Sequence, residues 1–247
     1  MKYGVIAVLL MGVLLHAEIR NAYYKSGELR LKEAFHNGKR HGLSQGFYKN
    51  GKPYFEVTYK HGLPSGLSRE YDRNGKLAMV KEYRSGKKIA EVPIKNGKKH
   101  GTERQFNTDG SVSIEKTYRN GILEGLSQSY YDNGTVRVRL HVKQGEPEGT
   151  SKEYFEDGTL KTLTPYHNGN IEGTVKHYNR HGILEAEIPF VNNKKEGTAY
   201  FYDPDGKRTH EALFTQDTLT AAYAYGDTGE KQRLDAQAIK ALRLHGD

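Results

Sequence analysis

The sequence predicts an all-β chain: an elongated, twisted antiparallel sheet of stacked 24-residue β-hairpin repeats, with a short C-terminal helix. Three observations support this fold class. Glycines recur at a fixed spacing, Asn-Gly and Asp-Gly pairs mark hairpin turns, and the segments between turns alternate apolar and polar residues. The 247 residues include 28 Gly and 18 Tyr, a composition typical of many short strands joined by tight turns.

Residues 1–17 are predicted to form a signal peptide. Lys2 precedes an apolar run from Val5 to Leu15, and Ala17 is a small residue that suits cleavage. The run is shorter than the about 20 residues that a transmembrane helix needs. A buried N-terminal strand or helix is the alternative. We therefore expect an exported protein, periplasmic, secreted or at the cell surface, whose mature chain begins at Glu18.

The repeat is defined by its glycines. Gly27, Gly51 and Gly75 are 24 residues apart, and from Gly110 to Gly206 every step is again 24. The interval from Gly75 to Gly110 is 35 residues. Since other glycines in the repeats are 11 apart, this interval indicates one extra 11-residue arm near residues 86–97. We expect a repeat domain over residues 18–214.

Each repeat is predicted to contain two strands and two turns. The first turn is an Asn-Gly or Asp-Gly pair such as Asn50-Gly51, which favours a type I′ hairpin turn. The strand after it places Pro53, Phe55 and Tyr59 on one face. A second turn of the form Gly-x-x-x-Gly follows, as in Gly38 to Gly42.

In each repeat, an aromatic residue lies five positions after the last glycine of the Gly-x-x-x-Gly turn. We expect this row to pack along the sheet and stabilise it through contacts between neighbouring repeats. The row comprises Phe47, Tyr71, Phe106, Tyr130, Tyr154, Tyr178 and Tyr202.

The repeats resemble MORN repeats. The stretch YDRNGKLAMVKEYRSG carries the Tyr-x-x-Asn-Gly core of that family, and the similarity is closest to the bacterial variant found in YwqK-family antitoxins. The resemblance covers roughly Tyr23 to Phe214. It departs at the 11-residue insertion and in the last repeat, where Arg208 and His210 replace apolar residues. It implies stacked antiparallel hairpins and a role in protein or membrane association, and it supplies no catalytic residue set.

Residues 215–247 are predicted to be a capping segment. Leu234, Ala238, Ala241 and Leu242 have helical spacing, which predicts a helix over about residues 230–244 with Thr228 as a cap. The simplest role for this helix is to cover the open end of the sheet. A helix lying on a membrane surface is the alternative.

Charge is distributed unevenly along the chain. From Glu18 to Leu123 there are 22 Lys and Arg against 11 Asp and Glu, and from Glu124 to Asp247 there are 15 against 19. This asymmetry could reflect solubility alone, or a basic half that docks an anionic surface. The residues predicted to bind the partner are in two second turns: Lys39, Arg40, His41, Lys98, Lys99 and His100. In the later repeats, the residue before the last glycine of the Gly-x-x-x-Gly turn is acidic. Because these turns line one edge of the sheet, this pattern predicts an acidic edge.

The sequence contains no pattern that requires catalysis. There is no cysteine and no Gly-x-Ser-x-Gly elbow, and the turn histidines recur as variable turn residues. We therefore predict no catalytic residue, cofactor or metal site. The expected function is an exported, non-enzymatic scaffold that binds a protein or an anionic membrane or envelope surface. An antitoxin-like inhibitor of one cognate protein is the alternative, and a hydrolase is a weaker one. Neither nucleic acid nor a small-molecule substrate is expected, and self-association stays open.

Overall fold

The computed structural model of the chain describes residues 17–241, with the backbone alone for residues 239–241. Within the described residues, the chain is all-β apart from one short helix. It divides into two compact units, Met1–Lys88 and Ile89–Asp247. The predicted signal peptide, except Ala17, lies outside the described residues.

In the first unit, every strand runs antiparallel to the next strand of the chain. These strands are β1 (Ala17–Tyr23), β2 (Leu29–His36), β3 (Lys39–Phe47), β4 (Pro53–Lys60), β5 (Leu63–Tyr71) and β6 (Leu77–Arg84).

The strands of the second unit also pair in antiparallel hairpins, beginning with the part of β7 (Lys87–Lys95) that lies in this unit. The others are β8 (Lys98–Lys99), β9 (Gly101–Phe106), β10 (Val112–Arg119), β11 (Ile122–Tyr130), β12 (Val136–Lys143), β13 (Glu146–Pro147), β14 (Gly149–Tyr154), β15 (Leu160–His167), β16 (Asn170–Ile171), β17 (Gly173–Tyr178), β18 (Leu184–Val191), β19 (Lys194–Lys195), β20 (Gly197–Tyr202), β21 (Arg208–Thr215), β22 (Thr218–Tyr225) and β23 (Lys231–Arg233).

The two-residue strands arise because a bulge interrupts each returning strand. β13 and β14, for example, both pair with β12 and are separated only by Glu148. The Glu148 backbone N–H donates to the His141 carbonyl at 3.0 Å, and Gly149 after it has a φ of 76°. The latter glycine of the Gly-x-x-x-Gly turn is therefore a bulge residue, where only glycine adopts such a backbone readily.

The prediction of type I′ geometry for the first turns was wrong. At Asn50-Gly51 only the glycine has a positive φ. The Gly51 N–H donates to the Tyr48 carbonyl, and the Tyr48 N–H donates to the Lys52 carbonyl, both at 2.9 Å. The loop thus has three residues, a length that favours a type I turn followed by a left-handed glycine.

The type I′ geometry is found in the second turns instead. Asn37 has a φ of 51° and Gly38 a φ of 72°, which is the signature of a two-residue type I′ hairpin. Asn120 and Gly121 repeat this geometry in the second unit. In the last two second turns, Asn193 and Asp217 adopt the left-handed backbone where other repeats have glycine.

The packed core lies near the C-terminal end of the second unit. Ala186, Ile188, Ala199, Ala212 and Phe214 form a cluster of buried side chains. They come from β18, β20 and β21, in which register partners such as Ala199 and Ala212 share a face. Small alanines suit this position because the larger Phe190, Phe201 and Leu219 pack around them.

The C-terminal segment also differs from its prediction. β22 pairs with β21, and β23 pairs with β22, so strands continue well beyond residue 214. The helix runs Ala236–Ala241. It begins later than the predicted start at about residue 230, because residues 231–233 form a strand. The cap is Asp235 rather than Thr228: its Oδ1 accepts a 2.7 Å hydrogen bond from the Ala238 N–H. Residues 242–244, the rest of the predicted helix, lie outside the described residues. No helix in the described part of the chain is long and apolar enough to span a membrane.

Candidate binding surface

The predicted basic turn of the first unit is partly neutralised by its own surroundings. Arg40 Nε lies 2.7 Å from Glu33 Oε1, and the Arg40 guanidinium lies 5.3 Å from the centre of the Tyr59 ring. Lys39 is exposed, and no carboxylate between residues 17 and 241 forms an ion pair with it. Of the two cations in this turn, only Lys39 is therefore available to a partner without breaking an ion pair.

His41 of the same turn lies in a histidine cluster. Its ring centre is 5.6 Å from that of His36 and 5.3 Å from that of His61. Across the described residues, no group of three His, Cys, Asp or Glu side chains is arranged to hold a metal ion. The His41 ring thus lies between the other two and contacts both.

The predicted basic turn of the second unit is similar. Lys99 Nζ donates to Glu103 Oε2 at 2.8 Å. Burial opposes the charged form of Lys99, but the hydrogen bond to Glu103, the charge of that carboxylate and the contribution of Tyr118 together outweigh it and raise the pKa of this lysine. His100 Nδ1 accepts a long, 3.4 Å hydrogen bond from the Asn120 N–H. Lys98 is exposed and has no ion pair in the described range.

The predicted acidic edge consists of carboxylates that cap turns. Each carboxylate accepts a hydrogen bond of 2.8–2.9 Å from a backbone N–H that lies 20 residues later in the chain. The donor is the first residue of the second turn in the following repeat. The backbone hydrogen bond from Asn168, helped by His167 nearby, lowers the pKa of Glu148. The capping pairs are Glu124 with Gln144, Glu148 with Asn168, Glu172 with Asn192, and Glu196 with Gln216.

All seven members of the aromatic row are half-buried. Three tyrosine hydroxyls donate to glutamates 15 residues earlier: Tyr71 to Glu56, Tyr130 to Glu115 and Tyr202 to Glu187, at 2.7–2.8 Å. Burial and these hydrogen bonds raise the pKa of each tyrosine. These three tyrosines therefore link neighbouring strands, and their hydroxyl groups already have partners.

The tyrosine-bound glutamates also hold cations. Glu187 accepts hydrogen bonds from Lys176 and Tyr202, and these lower its pKa. Lys176 Nζ lies 2.8 Å from Glu187 Oε1, and Arg104 Nε lies 2.8 Å from Glu115 Oε1. These two cations are therefore already engaged in ion pairs within the chain.

β12 is different, because it presents basic residues without acidic partners. Its sequence VRVRLHVK alternates strictly, so Arg137, Arg139, His141 and Lys143 are all exposed. The residues between them face the other side of the sheet, where Val142 is 5% exposed. We call the four exposed side chains the β12 stripe. Among residues 17–241, none of the four forms an ion pair with a carboxylate.

Neighbouring strands extend this positive surface around Arg139. Lys152 of β14 is the register partner of Arg139 and is also exposed. On the other side Gln128 is the register partner of Arg139, and its amide oxygen, turned toward the guanidinium, accepts at 3.3 Å. The Arg137 guanidinium lies 5.9 Å from the Tyr131 ring centre. The result is a patch of exposed positive charge around Arg137 and Arg139, with one carboxylate, that of Glu146, at the register position opposite Lys143.

The β12 stripe is not among the residues predicted from sequence, because that prediction rests on turn residues and on the apolar positions of the strands. Val136, Val138 and Val142 follow the apolar alternation of the repeat, whereas the basic residues between them are at positions that the repeat pattern does not define. The strict alternation of valine or leucine with a basic residue is the signal that could have identified the stripe. The overall acidic balance of residues 124–247 concealed it.

A family model for a MORN repeat variant matches the chain six times, and the matches together span more than half of its residues. They cover residues 40–61, 64–85, 99–120, 123–144, 147–168 and 171–192. The chain belongs to the MORN repeat variant family. The unmatched residues 86–98 of the MORN chain contain the glycine spacing that indicates an extra arm, and the β12 stripe lies inside the fourth match.

No curated protein matches the MORN chain. Two crystal structures, of TcdB2-TccC3-Cdc42 and of TcdB2-TccC3, are similar to it at 12% sequence identity and a TM-score of 0.19 each. The similarity covers 87% and 90% of the MORN chain, which spans only 14% and 15% of the length of those chains.

Proposed function

We propose that this MORN chain is an exported, non-enzymatic binding scaffold that docks to an anionic membrane or envelope surface through the β12 stripe. MORN repeats are generally binding modules, and the stripe is the part of the described surface that supports an anionic partner best. The observation that carries the proposal is the exposure of Arg137, Arg139, His141 and Lys143 on one strand without carboxylate partners.

The geometry of the stripe favours an extended anionic surface over a single small ion. Alternate residues of a strand are about 6.8 Å apart, so the stripe distributes its charges along about 20 Å of a rigid sheet. Its cations need not leave an internal ion pair in order to bind, in contrast to Arg40 and Lys99. Exposed Lys39 and Lys98 would add positive charge near their own turns and serve as secondary contacts.

The predicted export limits the choice of partner. Nucleic acid would satisfy the charge, but an exported protein seldom encounters it, so lipid headgroups and acidic envelope components are the favoured partners. Binding to one cognate protein, as an antitoxin-like inhibitor would show, is distinguished by its stoichiometry and by its resistance to moderate salt. Binding to a charged surface weakens steeply as salt screens the charges.

The experiment is sedimentation of the mature chain, from Glu18 onward, with anionic and neutral vesicles over a salt series. The test variant reverses three charges of the stripe: Arg137→Glu, Arg139→Glu and Lys143→Glu. The matched control carries the same change of net charge at three exposed residues outside these contacts: Lys25→Glu, Lys60→Glu and Lys95→Glu.

We expect salt-sensitive binding to anionic vesicles that is lost in the stripe variant and weakened only modestly in the control. Equal loss in both variants would mean that net charge, rather than the stripe, determines binding. Absence of binding by the unmodified chain would reject an anionic surface. A saturable, salt-resistant complex of one-to-one stoichiometry with a protein from the same cell would favour the inhibitor.

A further inference from the structure

A cleft of about 390 Å³ lies in the first unit, among residues of β2, β3 and β4. Its volume is within the range of small-molecule binding sites. Half of its ten lining residues are aromatic: Tyr24, Phe47, Tyr54, Phe55 and Tyr59. The cleft shares no residue with the β12 stripe and does not depend on the function proposed above.

The position of one aromatic ring depends on a glycine. A Cβ atom added to Gly46 would lie 2.3 Å from Cε1 of Phe55, so the ring rests directly against the backbone. Gly46 has no positive φ, which means that this glycine is needed for the close approach. At the matching position of the next repeat the residue is Glu70, which could not accommodate a ring in this way.

The cleft also contains a buried hydroxyl group without a partner. Ser44 is 1% exposed, it lines the cleft, and its Oγ has no hydrogen-bond partner among the described residues. Ser68, at the equivalent position of the next repeat, is 3% exposed, but its hydroxyl is not a fully buried group without a partner. A buried hydroxyl normally has a partner, so the Ser44 Oγ indicates a ligand with a hydrogen-bonding group.

The charged residues of the cleft favour an anion. Glu33 and Arg40 form an ion pair with each other. Arg30 also lines the cleft, is exposed, and has no ion-pair partner in the described range. A guanidinium with no other partner is suited to bind a carboxylate.

We propose that this cleft binds a sugar ring that carries a carboxylate, as in a uronic acid unit of an acidic polysaccharide. The C–H face of a pyranose ring packs on aromatic side chains such as Phe55 and Tyr59. The ring hydroxyls give Ser44 Oγ the partner that it lacks, and the carboxylate pairs with Arg30. A purely apolar ligand would leave Ser44 unsatisfied, and a neutral sugar would leave Arg30 unpaired.

The test is titration of the mature chain with trigalacturonate and with the neutral trisaccharide galactotriose, followed by NMR or calorimetry. The variants are Ser44→Ala and Arg30→Gln, and Ser68→Ala is the matched control. Neither Arg30 nor Ser44 belongs to the packed core, and circular dichroism verifies that each variant is folded.

We expect saturable binding of trigalacturonate, at least about tenfold weaker binding of galactotriose, and at least about fivefold loss of trigalacturonate affinity in Arg30→Gln and Ser44→Ala. The Ser68→Ala variant should bind like the unmodified chain. Absence of saturable trigalacturonate binding overturns the proposal. Binding that is unaffected by Arg30→Gln and Ser44→Ala overturns the placement, and equal affinity for both sugars overturns the role of the carboxylate.

Discussion

Glu148 accepts, through Oε2, a 2.9 Å hydrogen bond from the backbone N–H of Asn168, which begins the type I′ turn of the next repeat. The relationship recurs at Glu124, Glu172 and Glu196. A carboxylate that seemed from sequence to be a surface charge is thus a cap on its neighbour. The same position therefore allows a direct test of how the repeats stabilise one another.

Removing one of these caps should destabilise the chain. We expect Glu172→Ala to lower the free energy of unfolding by about 1 kcal/mol, because the Asn192 N–H loses its charged acceptor. Thermal unfolding by circular dichroism measures the effect as a fall in Tm of about 2–4 °C. Glu172→Gln keeps an acceptor oxygen and is the control, and an equal loss in both variants would mean that charge alone matters.

The opposite change should stabilise an earlier repeat. His100 occupies the position of the capping glutamates, but the hydrogen bond that it accepts from the Asn120 N–H is long, at 3.4 Å. We expect His100→Glu to raise the free energy of unfolding by about 0.5–1 kcal/mol, since a carboxylate is the stronger acceptor. Urea unfolding measures the gain, with His100→Ala as the variant that should show none. A stability below that of the unmodified chain would show that His100 has a packing role instead.

The buried hydroxyl of Ser44 should reduce stability in the absence of ligand. Because its Oγ has no hydrogen-bond partner among the described residues, Ser44→Ala is expected to stabilise the free chain by about 1 kcal/mol. Urea midpoints of Ser44→Ala and Ser68→Ala give the comparison. A loss of stability in Ser44→Ala would indicate that the Ser44 hydroxyl has a partner in solution.

His177 should make stability depend on pH. Burial lowers the pKa of His177, and the charge of Glu153 offsets this only in part. A histidine whose folded pKa is below its unfolded value of about 6.5 contributes stability above that pH and loses it as the pH falls through the folded pKa. We expect urea midpoints to decrease from pH 7.5 to pH 5.5, and to decrease less in His177→Gln. His181→Gln, in an exposed turn, should behave like the unmodified chain.

The strands could be predicted from sequence because their period is carried by glycines whose backbone no other residue adopts easily. The turn types could not, because Asn-Gly pairs occur in both kinds of turn and the type depends on the loop length between paired strands. In the turn at Asn192, Asn193 replaces the expected glycine. Its Oδ1 accepts from the Ile171 N–H at 2.6 Å, a contact between repeats that no local pattern reveals.

The candidate sites depend even more on tertiary structure. Arg40 and Lys99 were attractive in sequence, but their partners Glu33 and Glu103 could be identified only once the strand register was known. The isolation of the Ser44 hydroxyl likewise depends on burial from neighbouring strands. The exposed stripe on β12 is the exception, since period-two alternation alone suffices to find it.

The capping glutamates have a consequence for how such a chain changes length. Between residues 124 and 216 each repeat supplies the acceptor for its successor and the N–H donor for its predecessor. Duplication or deletion of a block of 24 residues, or a multiple of 24, leaves every acceptor facing a donor, whereas a block of another length breaks the sequence of pairs. Copy number can therefore vary in evolution or in the laboratory without the invention of a new contact.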